Sequence, residues 1–273
     1  MLVSVPYGIY GGVIADDGAA RSSLRNALDD QVRRLDVVTV DLRSMSHGFE
    51  DLEANDRYVT FRRDLPDKPE EVLKWLPRKV RAAARNGRDK HGLTIAYGRH
   101  LLPIVWPLYT QSMRRLASLN YPYRFFETLV EGAPDSTLTS VVYYQGRAVA
   151  GLLTLLFDDT AMPYIVGLDH RYRFASVGNF LYMSLIKRVI EQGYRMFDFG
   201  RSRRDNTGCC DFKRFHGFQA TPLGYQRLIA PGAEPADLTP TGAKFGLARR
   251  IWPHLPIRLT RPLGAWLAGH IPG

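Results

Sequence analysis

Residues 197–218 read FDFGRSRRDNTGCCDFKRFHGF, and the fold follows from how this stretch begins and ends. Arg195–Phe199 is predicted as a short strand, because apolar residues flank Asp198 on both sides. Residues 200–208 form a Gly/Arg-rich loop, and Cys209–His216 fits one or two helical turns. A carboxylate inside an apolar strand must be paired or hydrogen-bonded, since burying it alone is costly. Arg201, three residues on, is the expected partner. Two readings stand side by side: an internal ion pair that pins the loop, or an acid that orients a substrate amine. Lys213 lies between Phe212 and Phe215, where apolar surroundings lower a lysine pKa. It is either a surface lysine whose stem packs on the rings or an ammonium aimed at a developing oxyanion or phosphate.

Upstream, Ser176–Gln192 is predicted as a helix, with Leu181, Leu185, Ile186, Val189 and Ile190 at helical spacing. Before it, Leu138–Tyr144 and Ala148–Phe157 read as a hairpin around Gln145-Gly146, followed by a strand at Met162–Leu168. Helices are expected over 103–119 and 123–131. Towards the N-terminus, strands are expected at Met1–Pro6, Asp36–Leu42, Arg57–Leu65 and Leu93–Tyr97. Helices are expected at Asp16–Leu35 and Lys68–Asn86. Phe218–Ile229 reads as a last strand, and Pro231–Gly242 as a linker. Hairpins feeding a crossover helix argue for mixed sheets in an α/β (α+β) chain. The division expected is 1–100, 101–230 and a basic, Pro-containing C-terminal arm at 231–273.

Composition narrows the function. The chain has 273 residues with 37 Lys+Arg and 27 Asp+Glu, a net charge of +10. Residues 78–99 and 171–214 each carry +6 and residues 244–273 carry +5, leaving −7 for the remainder. Charge clustered in this way points to a polyanionic partner rather than to general solubility. No apolar run reaches the roughly 18–20 residues of a spanning helix, and no signal peptide is visible. The two cysteines are adjacent, Cys209 and Cys210, so a cytoplasmic, disulfide-free protein is expected. The seven histidines are scattered without metal-ligand spacing, there is no GxSxG elbow, and 200–208 lacks a P-loop's Gly-Lys-Ser/Thr. On a helix, Arg78, Arg81, Arg85 and Arg88 share one face, which is either simply solvated or, having no acidic partners at those spacings, set for phosphate contact. The arm combines arginines with Trp252 and Trp266, and its prolines forbid one long helix. It either packs on the fold or meets an anionic membrane, the latter as a peripheral protein of the inner membrane.

Five segments, LVSVPYGIYGG (2–12), LPRKVRAAARNG (76–87), SVGNFLYMSLI (176–186), FDFGRS (197–202) and DFKRFHGF (211–218), together resemble the FemAB-like branch of the GNAT acyltransferase superfamily. Within it, the resemblance is to FemAB-like proteins associated with exosortase/PEP-CTERM and exopolysaccharide systems. It implies two GNAT-like domains, with the chain starting inside the first, so that the first is incomplete. It implies transfer of an acyl or aminoacyl group to an amine of a cell-envelope or exopolysaccharide-related acceptor. The family's Phe/Tyr-Lys pair falls on Phe212 and Lys213, implicated in substrate binding and charge stabilisation. Asp198, Arg201 and Ser202 are then expected to shape the site, with Tyr164 and Asn179 as acceptor-binding candidates and Arg78, Arg81 and Arg85 as contacts to an anionic donor. One departure concerns that donor. Acetyl-CoA enzymes carry a Gln/Arg-x-x-Gly-x-Gly/Ala turn before the long helix, and counted from Gly178 the positions here are Ala175 and Phe180. Acetyl-CoA is therefore disfavoured, and aminoacyl-tRNA or another acyl donor stays open. The rival expectation is a non-catalytic, basic RNA- or membrane-binding protein that keeps the fold.

Overall fold

The computed structural model describes residues 1–230, 232 and 246–270. Apart from residue 232, the expected linker at Pro231–Gly242 lies outside the described residues. The chain begins with β1 (Leu2–Val3), α1 (Gly18–Arg34), β2 (Thr39–Leu42), β3 (Glu53–Ala54), β4 (Tyr58–Thr60) and β5 (Arg62–Asp64). It continues through α2 (Val72–Trp75), α3 (Arg78–Asp89), β6 (Thr94–Tyr97), α4 (Leu102–Arg115) and α5 (Tyr123–Gly132). Then come β7 (Thr137–Tyr144), β8 (Arg147–Phe157), β9 (Thr160–Leu168), α6 (Val177–Glu191) and β10 (Met196–Asp198). The remainder is β11 (Ser202–Arg203), α7 (Thr207–Phe215), β12 (Thr221–Pro222), β13 (Gln226–Ile229), α8 (Gly246–Ile251) and α9 (Ile257–Ala268).

Six strands make the main sheet, in the order β5-β10-β9-β8-β7-β6. Its strands are apolar on both faces, as in LLTLLF at 152–157, because helices cover both sides. Leu152, Leu156 and Val142 join α2, α3 and α6 in one cluster, while Val141, Leu153 and Ile165 join α4 and α5 in the other. β9 and β10 run parallel, joined by α6 as the crossover. The sheet does not divide at residue 100: β5 and β6 lie at its two edges, and α3 packs on α6. Residues 62–97 therefore complete the layer that was expected to begin at 101. A second sheet, β1-β2-β13-β3, carries α1, and a small third one orders β11-β4-β12.

Three expected elements are broken, each for a local reason. The helix expected at Lys68–Asn86 is interrupted at Leu76, which is extended (φ −72°, ψ 142°) before Pro77. A proline ring disfavours the helical region for the residue preceding it. The strand expected at Arg57–Leu65 divides into β4 and β5, which serve different sheets. The strand expected at Phe218–Ile229 divides likewise, β12 pairing with β4 and β13 with β2. Prolines do interrupt the arm, although Pro262 is held inside α9.

The closest packing in the main sheet sits under α4. Gly151 of β8 and Gly167 of β9 are direct cross-strand partners. A Cβ on Gly167 would come within 2.2 Å of the Tyr109 nitrogen, and one on Gly151 within 2.9 Å of Val105 Cα. Both obstacles are helix backbone, which cannot rotate aside. Gly167→Ala is expected to destabilise the fold by about 2–3 kcal/mol, measured by urea unfolding, through forced separation of α4 from the sheet.

Candidate active site

β9 and β10 pair only at Met196↔Thr160 and Phe197↔Ala161. β9 then continues to Leu168 while β10 stops at Asp198, so the two strands part. Near the parting, Gly200 (φ 67°) lies so close to Ile9 that an added Cβ would meet Ile9 Cδ1 at 2.7 Å, with Met162 Sδ at 3.8 Å. Three tyrosines hold the segment around Ile9. Tyr164 Oη donates to the Tyr7 carbonyl at 2.8 Å, Tyr225 Oη donates to the Ile9 carbonyl, and Tyr10 Oη donates to Asp198 Oδ2 at 2.8 Å.

Asp198 is 1% exposed and fully engaged. Besides Tyr10, it accepts from Thr60 Oγ1 at 3.1 Å and from the Gly200 amide at 2.7 Å. Its ion-pair partner is Arg62, with Nε 3.4 Å from Oδ2, and not the expected Arg201. The reason is sheet register: Arg62 on β5 lies directly across from Asp198. Burial, and then the Asp198 charge, push the Tyr10 hydroxyl well above the ordinary tyrosine value, so it remains a donor.

Lys213 is 5% exposed, on α7. Its Nζ donates to the carbonyls of Phe199 (2.8 Å), Gly200 (2.7 Å) and Arg201 (3.4 Å), and sits 5.1 Å from the Phe61 ring centroid. The expected ammonium aimed at a developing oxyanion is thus corrected: its three N–H donors are committed to backbone. Burial lowers the Lys213 pKa, and the neighbouring Cys209 and Asp198 act against it. Asp198 and Lys213 together take up the Gly200 amide and three successive carbonyls of the 199–201 turn.

That turn delivers Arg201. Its guanidinium carbon lies 4.9 Å from the Tyr58 ring centroid and 6.0 Å from that of Tyr225. Arg201 lines a small, narrow cleft together with Arg43, Asn55, Tyr58, Tyr225 and Asp41. Arg43 donates to the carbonyls of Val5 (3.2 Å) and Gly8 (3.1 Å), and burial followed by the nearby Arg201 charge lowers its pKa. The pocket's carboxylate, Asp41, is held by Arg227 at 2.8 Å. Arg201 on its aromatic walls, with the buried Arg43 charge beside it, makes a site suited to an anionic group.

The other expected residues are dispersed. Ser202 is buried, its hydroxyl 3.3 Å from Cys209 Sγ. Phe212 packs on Tyr182, Phe199 and His216. Asn179 begins α6, and its Oδ1 has no hydrogen-bond partner among the described residues. Arg78, Arg81 and Arg85 lie on α3, and none lines the pocket. On that helix Arg88 pairs with the adjacent Asp89 at 2.7 Å. Arg43, Tyr58, Tyr225, Tyr10, Thr60 and Arg62 were missed by sequence reasoning. Only Tyr10 lay within a segment already singled out, LVSVPYGIYGG.

Two outcomes follow from the turn and its neighbours. Lys213→Met is expected to destabilise by about 3 kcal/mol in urea unfolding, because it strands three carbonyls that the ammonium now satisfies. His216 is buried against Tyr182, Phe199 and Phe212, and burial lowers its pKa. Below the unfolded value of about 6.5, the unfolded chain binds a proton that the folded one refuses. This contribution is therefore complete above about pH 6.5 and is lost on acidification, by at most about 1.4 kcal/mol per pH unit. His216→Phe is expected to flatten the fall in thermal midpoint between about pH 7 and about pH 5.5. An unchanged slope would remove His216 as its source.

Comparison with known proteins agrees with this architecture. No curated protein sequence matches the chain. FemX superposes with a TM-score of 0.61 at 13% identity, covering 82% of each chain. L-PGS from Bacillus licheniformis superposes with a TM-score of 0.56 at 13% identity, covering 86% of this chain and 79% of its own. A C-terminal domain ascribed to a lysylphosphatidylglycerol synthetase of Agrobacterium fabrum gives 0.52 at 14% identity, over 79% and 75%. At these identities the likeness is one of fold. The family model for the acetyltransferase (GNAT) domain matches residues 71–214, just over half of the chain and the portion that contains β6 to β10, α6 and Lys213. The parallel β9–β10 pair that parts beside α6 lies within this match, and the chain belongs to the acetyltransferase (GNAT) domain family.

Proposed function

We propose that the protein is an acyl- or aminoacyl-transferase of the FemAB-like kind, acting on an amine of a cell-envelope or exopolysaccharide-related acceptor. The observation that carries this reading is the placement of Arg201, on the turn that follows β10, beside Arg43 in a tyrosine-walled cleft. Parted strands present facing backbone edges along which an extended acyl carrier can lie. Arg201, with the buried charge of Arg43 behind it, holds an anionic group of the donor or acceptor, so positioning supplies most of the rate. The amine attacks the acyl carbon of an activated ester or thioester. The carbon–oxygen or carbon–sulfur bond then breaks, and the leaving group departs with the proton that the amine gives up.

In this scheme Lys213 and Asp198 are positioning residues that fix the turn bearing Arg201. Tyr164 and Tyr10 act through the Tyr7–Tyr10 segment that borders the strands. The domain ascribed to a lysylphosphatidylglycerol synthetase supports a cell-envelope acceptor by what its name describes, an aminoacylated lipid. Aminoacyl-tRNA is the donor this reading favours, since the turn that would cradle the acetyl-CoA pyrophosphate has Ala175 and Phe180 at its marked positions.

The test is mass spectrometry of amine acceptors incubated with the protein and a donor panel of aminoacyl-tRNA and acyl-CoA. Arg201→Gln is expected to lower transfer about 10- to 100-fold, the worth of one or two charged hydrogen bonds, while the fold persists. Transfer at the wild-type rate in Arg201→Gln would overturn the assignment of this pocket.

A further inference from the structure

The C-terminal helices carry two apolar stripes, and only one of them meets the fold. In α9 the buried positions are Thr260, Gly264 and Ala268, four residues apart. They face α4 and the loop after it. Asn120 Nδ2 donates to the Arg261 carbonyl at 3.1 Å, Arg261 Nε donates to Thr110 Oγ1 at 2.9 Å, and Arg114 Nη1 donates to the Leu255 carbonyl at 2.9 Å. Trp252, between α8 and α9, is buried as well. The second stripe of α9 is Leu259, Leu263 and Trp266, at i, i+4 and i+7, and these side chains are 58%, 42% and 62% exposed. In α8, Leu247 and Ile251 repeat the pattern at i and i+4, both exposed.

Residues 246–270 contain Arg249, Arg250, Arg258 and Arg261 and no acidic residue. Arg261 is engaged with Thr110, while Arg249, Arg250 and Arg258 face solvent. Exposed leucines beside an exposed tryptophan, rimmed by arginines without counter-charges among the described residues, match the interfacial zone of an anionic bilayer. Tryptophan settles at headgroup level, leucines enter the acyl boundary, and arginines meet lipid phosphate. No described helix is long and apolar enough to cross a membrane, so the contact is with the surface.

We infer that the α8–α9 arm is a docking surface for an anionic lipid bilayer. Its α9 stripe has a fixed place on the fold, because α9 is held on α4 and the loop after it. It also touches the segment bordering the parted strands: Tyr7 Oη donates to the Ala268 carbonyl at 3.0 Å. Docking therefore brings the Tyr7–Tyr10 segment close to the bilayer surface, whatever chemistry takes place there.

The test uses the whole chain sedimented with vesicles of phosphatidylglycerol and phosphatidylcholine, and with phosphatidylcholine alone, at low and high salt. Binding to the anionic vesicles that weakens with salt is expected. Leu259→Gln/Leu263→Gln/Trp266→Gln should lower the partition about tenfold or more, by removing the inserted apolar area. Arg249→Gln/Arg250→Gln/Arg258→Gln should also lower it about tenfold or more and remove most of the salt dependence. All six positions are exposed, so an unchanged circular dichroism spectrum is expected for both variants. Absence of partition into anionic vesicles would overturn the inference, as would partition that survives the apolar substitutions. A dimer in sedimentation velocity that the apolar substitutions dissolve, without vesicle binding, would instead assign the stripe to a second copy of the chain and overturn it equally.

Discussion

The Lys213 ammonium under the carbonyls of Phe199, Gly200 and Arg201 is the contact on which the rest of the site depends. A lysine kept from water gives up strong hydration, and only good acceptors at close range repay it. Here the acceptors are backbone, which fixes the path of the chain. Asp198, one residue before the turn, takes the Gly200 amide with the same oxygen that receives Thr60. Cation and anion thus grip one turn from opposite ends, and their own attraction offsets part of the burial. The consequence lies one residue further on, where Arg201 leaves the turn in a fixed direction, across Tyr58 and Tyr225.

Much of this was legible in the sequence, and the failures have physical causes. The strand, loop and helix of 195–216 follow from local pattern, because apolar flanks and a Gly/Arg-rich loop act within a few residues. That Asp198 and Lys213 matter follows from the cost of burying charge. Their partners do not follow. Arg62 reaches Asp198 through an antiparallel register between β5 and β10, and Tyr10 reaches it from 188 residues away. Neither periodicity nor spacing carries such information. A nearby arginine, Arg201, was the natural guess, yet the turn that Lys213 closes points that side chain away from the carboxylate.

The same limit explains the domain division. Local signals restart near residue 100, where β6 ends and α4 begins, and they suggest a boundary. Strand pairing ignores the restart: β5 closes one edge of the main sheet and β6 the other, while β13 returns to pair with β2. A chain whose late strand completes an early sheet cannot be divided by position alone.

One segment shows how these distant pairings are reconciled. Residues 4–12 form no helix and no strand beyond a bridge at Gly11, yet several parts of the fold converge on them. Arg43 takes the carbonyls of Val5 and Gly8, Tyr164 that of Tyr7, and Tyr225 that of Ile9, while Tyr10 reaches Asp198 and Tyr7 reaches α9. Backbone without ladder partners must be satisfied somewhere, and here side chains from β9, from Arg43 just after β2 and from the approach to β13 do it. Each such bond spans a large sequence separation, so each closes a long loop at an entropic cost that grows only slowly with length. An irregular stretch held in this way is ordered by the whole fold rather than by its own propensities. It can therefore border a reaction site at one end and a surface helix at the other without being a regular element itself.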